Sequence, residues 1–221
     1  MSGSIYTGLA NSRVRDVNSG LFGSFYRTNR FEKVQTFYGA SLNIGAYRVG
    51  RFFPSNIITY NPDPNFDSLI NARGGRKSYG SYGVFGGINF VDSYKDGSEW
   101  RMLGLEMSAN KEFGQYASYR KNLPDSISNV LDRKQDFYTL ALTTEYIGRS
   151  GTDGAAGVKL ALGSKLSPVD FYYNGTYNQS KVLPMFMSMA LHYTQRKTTG
   201  YGQFVIGYHT LSLHFGMNFR L

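Results

Sequence analysis

Hydrophobic and polar residues alternate with a period of two along most of the chain. The closing segment, HTLSLHFGMNFRL, carries a large apolar residue at every second position from Leu211 to Leu221, with small or polar residues between them. Residues 136–149, DFYTLALTTEYIGR, and 154–166, GAAGVKLALGSKL, show the same alternation. A period of two is typical of a β-strand whose two faces meet different surroundings. The pattern therefore predicts an all-β chain.

The predicted strands are long. Similar alternation runs through residues 35–50, 78–91, 99–114 and 184–196, so each segment holds about ten residues or more. Strands in soluble sheets usually have about five or six residues, whereas a tilted strand that crosses a membrane needs about 9–11. The lengths therefore favour strands that cross a membrane.

The two predicted faces differ in a way that is typical of a membrane β-barrel. The polar face is mostly Gly, Ala, Ser, Thr and Asn with isolated charges, which suits a crowded, closed interior. The apolar face ends in aromatic residues, as the aromatic girdles of such barrels do. The aromatic residues assigned to the apolar face are Tyr38, Tyr47, Trp100, Tyr138, Tyr146, Tyr193, Tyr201 and Tyr208.

The predicted connections alternate between long and short, as in an antiparallel up-and-down barrel with long external loops. The long ones are 51–77, 115–135 and 167–183, and the short ones are 92–99, 149–154 and 197–200. We therefore predict an antiparallel up-and-down transmembrane β-barrel, with residues 1–221 forming a single domain. The count is ten strands, or eight if residues 1–34 form a plug or a periplasmic segment instead of a first hairpin.

Composition and charge narrow the chemistry. The 221 residues include no cysteine, which excludes disulfides and thiolate metal sites. No stretch reaches the roughly 18 continuous apolar residues of a membrane helix. The formal charge of +9 is compatible with nucleic acid, anionic lipid or lipopolysaccharide. Because the basic residues are spread out and no nucleic-acid-binding motif occurs, we expect no nucleic-acid partner.

The last eleven residues, LSLHFGMNFRL, resemble the C-terminal strand of bacterial outer-membrane β-barrels. In that class the strand alternates and ends on or near an aromatic residue that the barrel-assembly machinery recognises. Phe219 lies two residues from the end, whereas a strict match would place Phe last. The resemblance implies a porin-like architecture in the outer membrane of a Gram-negative envelope. The Tyr- and Asn-rich loops resemble barrels of Bacteroidota.

The N-terminus, MSGSIYTGLANSRVRD, has no basic segment followed by an apolar one, so it is not a signal peptide. The outer-membrane interpretation therefore requires that an export signal was removed. If no signal existed, the alternation would indicate a soluble lipocalin-like binding barrel.

Charged side chains on the polar face are the main candidates for function. They line a pore, bind a small polar ligand, or pair with one another and fill a narrow barrel. Their mixed signs favour pairing, because an unpaired buried charge costs several kcal/mol. The predicted interior polar network is Glu106, Glu112, Glu145, Lys159, His192, Arg196, His214 and Arg220. The predicted lipid-facing residues are Leu140, Leu142, Leu160, Leu162, Leu211, Leu213, Phe215, Met217 and Phe219.

Catalytic and metal chemistry find little support. Ser212 and His214 are weak catalytic candidates, because barrel enzymes that trim lipid A use a Ser, a His and an acid. Both lie on the predicted inner face, however, whereas acyl chains lie outside. Three His residues without Cys, and an Asn/Asp-rich segment 61–67 interrupted by prolines, predict no metal site. We expect no cofactor.

The sequence therefore predicts an outer-membrane barrel with a structural or interaction role. It would anchor external loops, or serve as a subunit of an envelope assembly or secretion complex. A narrow pore for small solutes and a lipid A-modifying enzyme are the alternatives within the membrane. Membrane lipid, lipopolysaccharide and other envelope proteins are the expected partners.

Overall fold

Strands dominate the structure, a computed structural model that describes residues 2–11, 16–49, 75–122, 134–166, 169–173, 176–207 and 210–220. The strands are β1 (Ser2–Asn11), β2 (Asp16–Phe31), β3 (Val34–Val49), β4 (Gly75–Ser93), β5 (Glu99–Phe113), β6 (Asp136–Ser150), β7 (Gly154–Lys165), β8 (Val169–Tyr173), β9 (Thr176–Val182), β10 (Met185–Gln195), β11 (Thr198–Gly207) and β12 (Thr210–Phe219). One helix, α1 (Gln115–Lys121), follows β5.

Ten of these strands close into a barrel in the order β1-β12-β11-β10-β7-β6-β5-β4-β3-β2. Each neighbouring pair is antiparallel, and β1 closes the wall by pairing with both β12 and β2. This confirms the predicted antiparallel up-and-down barrel, with ten strands rather than eight. Both strands within residues 1–34 lie in the wall. β8 and β9 form a separate two-stranded sheet, which lies in the connection that leads along the chain from β7 to β10.

The two ends of the barrel differ in their connections. Residues 32–33, 94–98, 151–153 and 196–197 connect strands at one end, called the short-turn end below. β1 begins and β12 finishes at this end, because Ser2 pairs with Asn218. α1 and the β8–β9 hairpin lie in connections at the opposite end, called the loop end. α1 occupies part of the region 115–135 that the sequence predicted to be a loop.

A β-bulge interrupts β5 near the short-turn end. The pairing with β6 shifts between Arg101 and Gly104, so Met102 and Leu103 together face one partner residue, Thr144. Thr144 stabilises the bulge, because its hydroxyl donates to the Arg101 carbonyl at 3.2 Å and accepts from the Trp100 indole at 3.2 Å. The extra residue reverses the alternation, so Arg101 faces the lumen while Trp100 faces outward.

The outer surface carries the large apolar side chains that alternation assigns to one face. They are exposed on every wall strand whose side chains are described, β2 to β7 and β10 to β12, which is the reverse of a soluble core. Tyr201 differs from its prediction, since it lies on the lumen face beside His192 and Gly216. Tyr208 and the side chain of Tyr47 fall outside the described residues. Representative exposed residues are Phe25, Tyr38, Val84, Met107, Tyr138, Tyr146, Leu162, Met187, Tyr193, Ile206 and Phe215.

In the described part of the chain, no helix is long and apolar enough to cross a membrane.

Candidate functional site in the barrel lumen

A buried cluster of charged side chains lies in the lumen near the short-turn end. Glu145 of β6 is at its centre and is only 9% exposed. Arg101, turned inward by the bulge, forms an ion pair with Glu145. His192 of β10 approaches from the other side, with its Nε2 atom 2.8 Å from Glu145 Oε1. One carboxylate therefore links β5, β6 and β10 along the same stretch of wall, where only β7 separates β6 from β10.

A second ion pair lies midway along the barrel. Lys159 of β7 pairs with Glu106 of β5. Beside this pair is a cavity of about 270 Å³, also lined by the rings of Phe37, Phe85 and Phe186. That volume has room for about nine waters at roughly 30 Å³ each. The middle of the lumen therefore holds a small chamber with a neutralised charge pair on its wall.

At the loop end, α1 folds into the mouth of the barrel. Tyr116, Ala117, Tyr119 and Arg120 on this helix are all buried. The Tyr116 ring stacks on Tyr119 at 6.3 Å and meets the ring of Tyr79 edge-on, also at 6.3 Å. An aromatic layer thus covers this part of the mouth, an arrangement that buries a large apolar area.

Polar contacts attach α1 to the wall. Ser78 of β4 and Gln115 exchange hydrogen bonds: Ser78 N donates to Gln115 Oε1 at 3.3 Å, and Gln115 N donates to Ser78 Oγ at 3.2 Å. Arg120 forms an ion pair with Glu112 of β5 and lies over the Tyr116 ring at 5.1 Å. Gly114 permits the sharp entry into the helix, because its φ of +98° is strained for any side chain.

The lumen is closely packed at the level of the charged cluster. A Cβ atom on Gly157 would lie 2.4 Å from the His192 ring. One on Gly104 would lie 2.2 Å from Thr143 Oγ1 and 2.3 Å from Asn89 Oδ1. Contacts this short are not tolerated, so glycine is required there for the neighbouring polar side chains to fit. These positions explain why the polar face of the sequence is rich in glycine.

Ser212 and His214 form a hydrogen bond of 3.0 Å between Ser212 Oγ and His214 Nε2. Both residues lie on the lumen face of β12, because the alternate residues Leu211, Leu213 and Phe215 are exposed outside. The dyad therefore points away from the surface on which acyl chains would lie. Among the described residues, no group of three His, Asp or Glu side chains could hold a metal ion.

The structure brings together most of the predicted interior network but not all of it. Glu106, Lys159, Glu145, His192 and Glu112 lie in the lumen in ion pairs, and His214 joins Ser212. Arg196 and Arg220 lie elsewhere. The Arg196 side chain is 81% exposed in the β10–β11 turn, 3.7 Å from Asp153 Oδ2. Arg220 is exposed just beyond the end of β12. Both lie past the last ladder pair, where alternation no longer determines direction.

The predicted lipid-facing residues lie on the outer surface. Leu140 is half-buried there, opposite Met107, which is exposed. The remaining eight are exposed: Leu142, Leu160, Leu162, Leu211, Leu213, Phe215, Met217 and Phe219.

Two important lumen residues escaped sequence reasoning. Strict alternation places Arg101 outside, and only the bulge turns it inward; the adjacent apolar pair Met102 and Leu103 is the signal that alternation breaks there. Arg120 lies in the segment assigned to a loop. The segment YASYRK, with two aromatic residues and an arginine within two helical turns, was the sign of a helix, but it is too short to show a clear helical pattern.

No family model and no curated protein matches this chain. The solved structures that match it at low similarity include outer-membrane proteins. A loop-deletion mutant of OmpT from Vibrio cholerae is 8% identical with a TM-score of 0.34; the match covers 98% of this chain and 62% of that one. The NanC porin is 12% identical with a TM-score of 0.37, covering 99% and 100%. The KdgM porin in complex with oligogalacturonate is 10% identical with a TM-score of 0.30, covering 100% and 99%.

The chain thus spans under two thirds of the length of the OmpT mutant.

Proposed function

We propose that this protein is an outer-membrane β-barrel that works as a closed anchor and interacts with other envelope components at its loop end. The single observation that carries the proposal is the inverted distribution of side chains. Large apolar residues are exposed outside, whereas charged residues are paired inside. Exposed apolar residues are unfavourable in water, whereas a lipid environment stabilises them.

The dimensions agree with a membrane. β7, β10 and β12 have 12, 11 and 10 residues. At about 3.3 Å per residue and a tilt near 45°, ten residues span roughly 25 Å, which is the height of the apolar band of such barrels. Trp100, Tyr146 and Tyr193 lie toward the short-turn end of this band, where an interfacial girdle is expected. The barrel architecture supports the proposed location in the outer membrane, since barrels of this type are outer-membrane proteins.

The interior supports an anchor better than an open pore. Ion pairs occupy the lumen at three positions along β5: at Arg101, at Glu106 and at Glu112. α1 adds buried aromatic rings at the loop end. Ten strands leave an interior little wider than its own side chains need. A chamber of about 270 Å³ lies between these layers, so a narrow, gated pore is the second candidate function.

Interaction at the loop end is supported by the β8–β9 hairpin. Among the described strands, β8 and β9 pair only with each other, so each has an edge with backbone groups available to another chain. Addition of a strand from a partner is a common way to use such an edge. An envelope protein is therefore the proposed partner, and lipopolysaccharide is the proposed lipid contact at this end. A source in the Bacteroidota stays a prediction from loop composition.

Membrane insertion is tested by refolding the protein into detergent or vesicles and comparing unboiled with boiled samples by gel electrophoresis. A shifted band, with a β-type circular dichroism spectrum only when detergent or lipid is present, is expected. A monodisperse β-rich protein in plain buffer would instead establish the soluble lipocalin-like barrel.

Closure is tested separately in planar bilayers. Inserted wild-type protein is expected to produce no steady ionic current, because paired side chains and α1 fill the lumen. A stable current from the wild-type protein would replace the anchor with the narrow pore.

A further inference from the structure

The outer surface has a groove between β10 and β12. On β11 the outward positions are Thr198, Gly200, Gly202, Phe204 and Ile206, since the last two are exposed. Large side chains therefore cover the surface near the loop end of β11, whereas toward the short-turn end two successive outward positions lack a side chain. A Cβ atom on Gly200 would have no heavy atom within 4 Å.

Large apolar side chains form the two walls of this groove. Gly202 pairs with Leu191 on one side and Phe215 on the other, and Gly200 pairs with Tyr193 and Met217. All four wall residues are about half exposed, so they project from the barrel beside the glycines. With strands about 4.8 Å apart, the two walls stand roughly 10 Å apart, which leaves space for one extended hydrocarbon chain.

The hollow continues to the β10–β11 turn, where Gln195, Lys197 and Thr198 line it. From Thr198 to Phe204, which closes its upper end, the strand rises about 20 Å, or roughly 15 Å along the membrane normal at 45° tilt. That is about half of the 30 Å hydrocarbon thickness of a bilayer. The groove therefore spans the leaflet on the short-turn side.

The open end of the groove is basic. Arg196 and Lys197 form the turn at this end and line the hollow. Arg220 lies beside them, since its backbone N–H donates to the Lys197 carbonyl at 2.8 Å. Asp153 lies 3.7 Å from Arg196. Three exposed cations therefore lie close together where an apolar groove meets the aqueous interface.

We propose that this groove binds one glycerophospholipid with an anionic headgroup from the leaflet on the short-turn side. One acyl chain lies over Gly200 and Gly202 between the walls, and the headgroup phosphate lies at Lys197 and Arg220. The charge decides between occupants: an apolar groove with a basic mouth matches an apolar chain with an anionic head. The inference rests on the proposed membrane location of the barrel.

The test uses native mass spectrometry of the refolded barrel, released from detergent micelles that contain phosphatidylglycerol or phosphatidylcholine with the same acyl chains. The wild-type protein is expected to retain one lipid and to prefer phosphatidylglycerol. Gly200→Leu fills the groove and should remove most of the lipid adduct. Lys197→Gln combined with Arg220→Gln should reduce the preference for phosphatidylglycerol by about fivefold per cation, at roughly 1 kcal/mol each.

Gly148→Leu is the matched control. Gly148 is also an outward glycine near the short-turn end, but it lies on β6, away from the groove, and a Cβ there would be in ordinary contact with Tyr146 at 3.5 Å. It should retain lipid as the wild type does. Both leucine variants should keep the heat-modifiable band, because an outward leucine suits a lipid-facing strand.

Three outcomes would overturn the site. Equal lipid retention by the wild type, Gly200→Leu and Gly148→Leu would show that the groove holds no lipid. Equal amounts of bound phosphatidylglycerol and phosphatidylcholine would show that the cations do not select the headgroup. A dimer mass that Gly200→Leu abolishes would assign the groove to a second copy of the chain. Failure of the membrane proposal is distinguishable, since the barrel would then fold in plain buffer without detergent.

Discussion

Glu145 and Tyr146 are neighbours on β6, yet they experience opposite surroundings. Glu145 is 9% exposed in the lumen, paired with Arg101 and His192, whereas Tyr146 is 50% exposed on the outer surface. The same contrast recurs along β12, where Ser212 and His214 bond to each other inside while Leu213 and Phe215 are exposed outside. The wall separates two surroundings over the thickness of one strand.

The difference teaches that the two faces are stabilised by different physics. On the lumen face, stability depends on pairing, because each charge removed from water must have a partner. On the outer face it depends on transfer into lipid, where a single apolar side chain needs no specific neighbour. Substitutions should therefore be sensitive to partner identity inside and to polarity alone outside.

The largest effect is expected from Glu145→Ala, which tests the dependence on pairing. It leaves Arg101 and His192 in the lumen without their shared carboxylate. The free energy of unfolding should fall by about 3–5 kcal/mol, because the Arg101 charge is left in the lumen without compensation. Urea-induced unfolding of the refolded barrel in lipid vesicles measures this change.

Asp136→Ala is the control for an ion pair outside the cluster. Asp136 lies 3.8 Å from Lys111, and both side chains are more than half exposed. Such a pair contributes under about 1 kcal/mol. Equal losses for Asp136→Ala and Glu145→Ala would refute the special role of the buried cluster.

The outer face is tested next, with Leu213→Arg. Leu213 is exposed between Phe204 of β11 and Thr7 of β1. A lipid-facing arginine should destabilise the barrel by about 2–4 kcal/mol if it lies near the bilayer midplane. The refolded fraction in vesicles, read from the gel shift, measures the effect.

Ser212→Asn, one residue away on the lumen face, is the matched control and should be tolerated. If Ser212→Asn blocks refolding while Leu213→Arg does not, the two faces are inverted and the protein does not lie in a membrane.

A smaller effect on stability, but a clear effect on conduction, is expected from Arg120→Ala. This change removes the partner of Glu112 and the contact with the Tyr116 ring, so α1 should detach from the wall. The free energy of unfolding should fall by about 1–3 kcal/mol, less than for Glu145→Ala, because detachment of α1 exposes Glu112 to water at the mouth of the barrel. Planar bilayers should then show brief ionic currents that the wild type lacks. Lys121→Ala, an exposed position on the same helix, should stay closed; currents from both variants alike would argue against α1 as the closure.

Much of the barrel was predictable because alternation is a local property. In β12, the apolar positions from Leu211 to Phe219 identify the outer face without knowledge of any neighbour. The lumen-facing positions of Glu106, Lys159 and Glu145 followed from the same alternation. Their pairing could be expected from the cost of burying unpaired charge, although the alternation does not say which residues lie side by side on neighbouring strands.

The wrong predictions concern features that the alternation of the sequence does not record. The bulge that turns Arg101 inward depends on the pairing of β5 with β6. Tyr201 was placed outside because it is aromatic, whereas its parity with Gln203 puts it in the lumen and leaves glycines outside. α1 is too short to show a helical period, and its burial depends on the mouth of the barrel that it enters.

The smallest predicted effect concerns the turn between β4 and β5, outside the membrane-spanning strands. Ser98 donates to Asp96 Oδ1 from its hydroxyl at 2.6 Å and from its backbone N–H at 2.9 Å. These hydrogen bonds, the hydroxyl's first, hold the Asp96 pKa below its ordinary 3.8. A lowered carboxyl pKa stabilises the folded turn above pH 3.8, and this contribution is lost as the pH falls through the folded pKa.

Ser98→Ala removes the stronger of the two contacts and leaves the backbone N–H in place. The Asp96 pKa should therefore rise toward its ordinary value without reaching it, and the turn should become less stable relative to the wild type above that pKa. A carbon-13 NMR titration of the labelled carboxyl in detergent micelles measures the change. Ser118→Ala, which lies on α1 at the opposite end, should leave the titration unchanged; an identical Asp96 pKa in wild type and Ser98→Ala would mean that the hydroxyl contact does not form, and that the turn is held by its backbone hydrogen bonds alone.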